Sequence, residues 1–431
     1  MNRLRHAAGG FFLALALLAG PGAGPVRATE IVDGVEVLTA AELEQLNKQR
    51  AESFMYNPLS ARIGRYLSKA GDALVNGDLA EAQRLLERLN LDRLNKFERA
   101  TVFSLLGVTY YQQGNTAAAI SSFEKSIAEE ALMLKNEVGL RFNLVQLHAA
   151  AEQWDQVLVS LDQWRRYVAE PTGISWYLRS VANFQLGNYP EATVAAEKAV
   201  ASKPNPDESW LQLLAALYVL QEDYAKVTPV LERLVLEYPK KSYWVQLSLI
   251  YGARENYRAS LAVQQLAMMQ GFLTEDRELQ RLARSYVFAG LPYEAAQVLE
   301  KGLADGTIEA NHKTYEFLAN SWIQAREFER SIDPLRKAAD LSPAGDLYLR
   351  LGQVQMARED WKEAAKLFER AIAKGGLKNP GTADLLLGIA LYNDKQVGPA
   401  RFSFARAREH ENTRKAADDW LKHIEKETQS G

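Results

Sequence analysis

A spacing of 34 residues recurs along this chain, and it limits the fold more than composition can. In Phe103-Ser-Leu-Leu-Gly107-Val-Thr-Tyr110, then Gly114-Asn115, Ala119, Phe123 and Ser126, residues fall at positions 4, 8, 11, 15, 20, 24 and 27 of one unit. The spacing has a physical reading. Small residues at positions 8 and 20 let two antiparallel helices approach closely, and aromatics or leucines at 4, 7, 11 and 24 fill the space between them. The Gly-Asn pair ends the first helix and turns the chain.

The frame continues with small insertions. Tyr177 to Ala192 repeats it, as do Leu214, Ala215, Tyr218, Tyr224 and Leu231. Tyr315, Leu318, Ala319, Trp322, Phe328 and Ala338 fit closely, followed by Tyr348, Leu351, Gly352, Trp361, Ala364 and Phe368. Counting two degenerate early units, about ten lie between residues 63 and 414. The pattern resembles the tetratricopeptide repeat (TPR) family. That resemblance implies an all-α, TPR-type α-solenoid, a right-handed superhelix of helix-turn-helix repeats. Pro171, Pro204, Pro239, Pro343 and Pro380 mark unit boundaries, whereas Pro229 and Pro334 fall inside second helices and are expected to bend them. The eight tryptophans fall within or just after the repeats and read as packing between helices.

The two ends depart from the period. Residues 1–28 carry Arg3 and Arg5, an apolar run from Phe11 to Leu18, a Gly/Pro break and Val26-Arg27-Ala28, the order of a cleavable secretory signal peptide. No stretch reaches the roughly 20 apolar residues of a transmembrane helix. Residues 29–62 are expected to be a lead-in with one helix from Ala40 to about Glu52 capped by Thr39; Ile31 to Leu38 reads as a flexible approach rather than an extended segment. The superhelix is assigned to 63–412, and 413–431 to a capping helix and tail, apolar at Ala416, Ala417, Trp420 and Ile424.

Loss of the leader removes Arg3, Arg5 and Arg27 and leaves 48 Lys plus Arg against 54 Asp plus Glu, a net charge of −6. Phosphate backbones demand the opposite balance, so a nucleic-acid partner is disfavoured. The absence of cysteine excludes both a lipidated Cys after the leader and a disulfide framework. Residues with chemical potential do not assemble into a motif. His148, His312, His410 and His423 have no metal-ligand spacing, and His148 stands where other units place Tyr or Trp, as a packed residue. Ser122-Phe-Glu-Lys125 matches S-x-x-K without a partner triplet. Glu129-Glu130 and Asp418-Asp419 read as solvated faces, and Gly375-Gly376 as a loop. No catalytic, cofactor or metal residue is assigned, and the chain is read as a non-enzyme.

What remains is surface. In TPR-like superhelices the first helix of each unit lines a groove, and the resemblance maps it here onto Phe142, Tyr177, Val181, Phe184, Val219, Val245 and Leu249. Farther along it maps onto Arg277, Arg284 and Asn320. The apolar part suits an amphipathic helix or an extended segment of a partner; the same residues also suit packing between neighbouring turns. Arg277, Arg281 and Arg284 share a helical face that fits an acidic partner or plain solvent. The family's carboxylate clamp for chaperone tails is not found. Tyr243 to Gly252, Pro292 to Leu303 and Leu386 to Tyr392 further resemble exported proteobacterial TPR proteins described as components of TonB systems. That resemblance implies a periplasmic scaffold supporting TonB-dependent uptake, with TonB, ExbB and ExbD as partners. Two alternatives stay open: an assembly factor for outer-membrane proteins, polysaccharide export or pili, and a regulatory subunit or a hydrolase with an unrecognised site.

Overall fold

The computed structural model describes residues 30–430, so the leader expected at 1–28 lies outside the described residues. The chain divides into two compact units at Leu217 and Tyr218. After a two-stranded ribbon, β1 (Glu30–Val32) and β2 (Val35–Val37), the first unit holds α1 (Ala40–Tyr56) and four helical hairpins. These are α2 (Ala61–Val75) with α3 (Leu79–Glu87), α4 (Lys96–Gln112) with α5 (Thr116–Ala128), α6 (Leu134–Ala150) with α7 (Trp154–Arg165), and α8 (Gly173–Gln185) with α9 (Tyr189–Ala201). The unit boundary falls in the last turn of α10 (Glu208–Leu220).

The second unit takes in the end of α10, then α11 (Tyr224–Glu237), and continues in hairpins. They are α12 (Lys241–Ala253) with α13 (Tyr257–Met269), α14 (Asp276–Phe288) with α15 (Pro292–Ala304), and α16 (His312–Gln324) with α17 (Phe328–Leu341). Then come α18 (Asp346–Ala357) with α19 (Trp361–Lys374), α20 (Pro380–Asn393) with α21 (Val397–Arg408), and a last helix, α22 (Arg414–Ser430). The protein is an all-α repeat protein, as the period predicts.

Packing inside each hairpin follows from the small-against-large pattern. A Cβ built on Gly107 would lie 2.3 Å from the Phe123 ring, and one on Gly352 would lie 2.4 Å from Phe368. Only glycine admits the ring so close to the partner helix. Where serine replaces glycine, the close approach becomes a hydrogen bond: Ser180 Oγ donates to the Ala192 carbonyl at 2.8 Å. Each turn closes in a left-handed residue. At Gly114 (φ 78°), the Asn115 amide donates back to the Tyr110 carbonyl at 2.8 Å, while the Asn115 side chain accepts from the Ala118 amide at 3.1 Å. One residue thus finishes the first helix and caps the second.

The core is serial. Leu67, Leu86 and Val102 join α2, α3 and α4; Phe123, Leu140 and Leu144 join α5 to α6; Val157, Trp164 and Ala182 join α7 to α8. The second unit repeats this with Leu299 against Trp322, Leu335 against Leu351, and Phe368 against Leu387. Every tryptophan is buried or half-buried. Helices α11 and α17 run on through Pro229 and Pro334.

Three local expectations need correction. Residues 30–37 are an antiparallel ribbon with Ile31 opposite Glu36, not a flexible approach. Its turn at Asp33-Gly34 takes positive φ at both residues, which an Asp-Gly pair between alternating apolar and acidic residues favours. Helix α1 keeps its Thr39 cap, with the Thr39 hydroxyl accepting the Glu42 amide at 3.3 Å, but runs to Tyr56, past the expected end near Glu52. In α22, Ala416 faces solvent; Ala417 and Ile424 are buried, and half-buried Trp420 and Leu421 complete the packed face.

Candidate protein-binding surfaces

The mapped groove residues fall into both units, and their settings differ. In the first unit, Phe142 of α6 packs on Trp164 of α7, ring centroids 5.1 Å apart. Tyr177 of α8 stacks on Trp210 of α10 at 5.9 Å, and Phe184 meets Tyr189 across its own turn at 5.8 Å. All three and Val181 are half-buried, so each ring has one face in the core and one edge left over.

In the second unit, Val219 and Leu249 are exposed, Leu249 at 54%. Val245 is half-buried and lines a small hollow with Trp244, Gln264 and Arg281. Arg277, Arg281 and Arg284 are exposed along α14. Arg284 donates to Gln280 Oε1 at 3.0 Å and lies over the Phe317 ring. Asn320 is engaged within the chain: its Oδ1 accepts from Arg350 Nη2 at 2.7 Å, and Arg350 also pairs with Glu316 at 3.1 Å. The structure therefore brings Val245 and Arg281 into one hollow and binds Asn320 to the next hairpin.

Four of the other singled-out residues have structural partners. His148 is buried with Nδ1 2.8 Å from Gln153 Oε1. The Ser122 hydroxyl donates to the Ala118 carbonyl at 2.7 Å. Glu129 is no plain solvated carboxylate, because it takes both Nε and Nη2 of Arg99, at 2.6 and 2.7 Å. The hydrogen bond that Arg99 donates to Glu129 foremost raises the arginine's pKa. Asp418 pairs with Arg408 at 2.8 Å. Among the described residues, no group of three His, Cys, Asp or Glu is placed to hold a metal ion, and no helix is long and apolar enough to cross a membrane.

Sequence reasoning missed the buried charges. Glu98 accepts the amides of Ser60 and Asn95 at 3.0 and 3.1 Å, closing the N-termini of α2 and α4 together. The Asn95-x-x-Glu98 capping box signalled half of this. Glu137 holds Arg141 one turn on, at 2.7 Å, and Arg50 of α1 at 3.1 Å. Arg165 is 6% exposed, and nothing in its surroundings in sequence marks it.

Hairpins of this kind, with half-buried rings and exposed apolar and arginine faces, define a helical repeat protein of the protein-binding class. The tetratricopeptide repeat family model matches residues 67–131 and 349–416, one stretch in each unit. No curated protein matches the chain. Among solved structures, MamA from Desulfovibrio magneticus RS-1 is 16% identical over 39% of this chain and 94% of its own, with a TM-score of 0.29. YrrB, described as a TPR protein with an unusual peptide-binding site, is 14% identical over 44% and 97%, TM-score 0.34. The C-terminal part of a TPR repeat-containing protein from Cytophaga hutchinsonii is 15% identical over 64% and 95%, TM-score 0.36. The matched repeats are ones that serve protein–protein interaction, and the chain is an interaction scaffold.

Proposed function

We propose that this scaffold works in the periplasm as an accessory component of a TonB-dependent energy-transduction and uptake system, holding one or more of TonB, ExbB and ExbD. The leader-like residues 1–28, the net negative mature chain and the resemblance of three repeat segments to exported TPR proteins support that reading. The observation that carries the binding role is the exposure of the apolar side chains of Val219 and Leu249 in the unit that also displays Arg277, Arg281 and Arg284.

The test is crosslinking in intact cells followed by affinity recovery from envelope extracts. Recovery of TonB, ExbB or ExbD is expected with the parent chain. Val181→Asp and Leu249→Asp are each expected to reduce that recovery while far-ultraviolet circular dichroism stays unchanged. Recovery of cytosolic proteins only overturns both the location and the partner.

A further inference from the structure

The β1–β2 ribbon sits at one defined place on the first unit. Val37 is buried there, and the Leu38 amide donates to the Arg166 carbonyl at 2.9 Å. At the tip of the ribbon, the Asp33 carboxylate meets Lys198 Nζ at 2.7 Å.

Beneath that tip lies a cationic cavity. Arg165 closes α7; its Nη1 donates to the carbonyls of Val168 and Ala169, while its Nε is buried with no hydrogen-bond partner. Arg179 of α8, paired with Asp162, stands nearby, and Trp164, Ser175 and Trp176 form the walls. The remaining wall is supplied by Asp33 and Val35 of the ribbon. The space enclosed is about 40 Å³, above the roughly 10–15 Å³ that one water requires. Burial, first, and then the Arg179 charge lower the Arg165 pKa, and Asp33 acts against both. Lys198 lies over the Trp176 ring at 4.3 Å, so its charge is held at the rim.

The segment that fills this place is lightly held. Helix α1 has no fully buried side chain; its contacts include Arg50 on Glu137 and an edge-on contact of Phe54 with Phe97 at 4.8 Å. The ribbon sequence alternates carboxylates with valines: Glu30, Asp33 and Glu36 among Val32, Val35 and Val37.

We propose that this surface is a binding site for an acidic turn segment of a partner protein, and that residues 30–56 are a tethered stand-in which the partner displaces. The proposal rests on the protein-binding reading above and adds to it the chemistry of the ligand. A partner turn with Asp in the left-handed position two before a valine, as Asp33 stands before Val35, sets its carboxylate between Lys198 and Arg165. Its apolar side chain then falls toward Trp164 and Trp176, where Val35 now sits. One main-chain bond, from the Leu38 amide to the Arg166 carbonyl, accompanies these side-chain contacts. Tethering gives the stand-in an effective concentration on the order of millimolar, so a free segment binds weakly until the stand-in is loosened.

The test uses the purified mature chain and a labelled peptide of residues 30–40 as probe. Asp33 is exposed, so Asp33→Lys loosens the ribbon without touching the core. The probe is expected to bind the Asp33→Lys chain at least tenfold tighter than the parent, with amide exchange of residues 30–38 accelerated. Asp33→Asn is expected to act in the same direction to a smaller extent. Replacing the probe's aspartate by asparagine, or adding Lys198→Glu to the loosened chain, is expected to cost at least tenfold. Equal binding to parent and loosened chains, or binding indifferent to the probe's carboxylate, overturns the proposal. Dimerisation of the loosened chain by exchange of residues 30–56 also overturns it, naming a second copy as the occupant. None of these outcomes changes what the envelope crosslinking reports about the scaffold role.

Discussion

Helices α1 and α22 both lie outside the repeating hairpins, each in its own unit, and they are held by different forces. Helix α22 buries Ala417, sets Ile424 fully into the last hydrophobic cluster and stacks Trp420 on Phe404, centroids 5.4 Å apart and rings within 5° of parallel. It completes a core that α20 and α21 leave open. Helix α1 has no fully buried residue; half-buried Leu43, Leu46 and Ala51 lie along it, with the Arg50–Glu137 ion pair and the Phe54 ring edge on Phe97 among its contacts. Apolar burial is non-directional and scales with area, whereas a few polar anchors fix position and are readily exchanged. The first arrangement suits a cap, the second a segment that comes and goes.

The largest expected effect tests the cap. Ile424 is 1% exposed, and Ile424→Ala should destabilise the second unit by about 2–5 kcal/mol. In repeat proteins stability is nearly a sum of neighbour terms, so the loss should appear as early melting of α20 to α22 in hydrogen exchange. If Ile424→Ala leaves the exchange of α20 and α21 unaltered, α22 is not a cap in this sense.

The matching experiment on the strap is Arg50→Ala, with a smaller expected cost of about 1.5–3 kcal/mol for the charged hydrogen bond. Glu137 keeps Arg141, so the buried carboxylate is not orphaned. Exchange in residues 40–56 should then approach that of unstructured chain while α4 to α7 stay protected. Loss of protection in α6 as well would make α1 a structural part of the repeats and remove the contrast.

How much of this contrast was legible in the sequence depends on the force involved. The cap was legible because apolar burial leaves a periodic trace: Ala417, Trp420 and Ile424 fall at helical spacing. Ala416 was misplaced because it adjoins that stripe without belonging to it. The hairpins were legible for the same reason, Gly107 opposite Phe123 being a spacing as much as a contact. The ribbon was missed although Asp33-Gly34 is a turn signal, since three residues on each side are too few to establish alternation. Arg165 left no trace, because its burial follows from the path of residues 166–169 and from a ribbon more than a hundred residues away in sequence. Of the mapped surface, Leu249 and Arg277 could be placed by helical position alone. That Arg350 engages Asn320 could not, since it depends on which rotamers two long side chains reach.

Acid offers a milder probe that reaches both units through one carboxylate in each. Burial favours the protonated form of Glu98, but hydrogen bonds from Ser60 and Asn95 outweigh it and hold its pKa below the ordinary value. Burial acts the same way on Glu278, where Lys241 and the amides of Glu275 and Thr274 outweigh it. A folded pKa below the unfolded one contributes stability that is complete above the unfolded value, near 4.5, and is lost as pH falls through the folded value. Each unit should therefore become easier to melt below about pH 4.5, and Glu98→Gln and Glu278→Gln should each flatten that dependence. Added salt should weaken only the Glu278 contribution, because Lys241 is its one ionic partner.

The smallest effect compares the turns. In the first unit the left-handed position after α2, α4 and α8 is glycine (Gly77, Gly114, Gly187), and only Glu152 after α6 departs. In the second unit Gly290 stands alone, while Glu222, Glu255, Arg326, Glu359 and Lys395 occupy the same position with φ between 55° and 64°. A side chain there meets the following carbonyl at a cost of roughly 1–2 kcal/mol, part of which glycine returns through the greater freedom of its unfolded chain. The net gain for Glu255→Gly or Glu359→Gly should therefore be about 0.5–1 kcal/mol, read from denaturant midpoints at unchanged slope. Gly114→Glu in the first unit should lose a similar amount, since a Cβ there meets no neighbouring atom and the backbone conformation is the whole difference. If Glu255→Gly instead destabilises, those long side chains hold the second unit's turns through contacts that outweigh their backbone strain, and the two units differ in how they turn as well as in how they end.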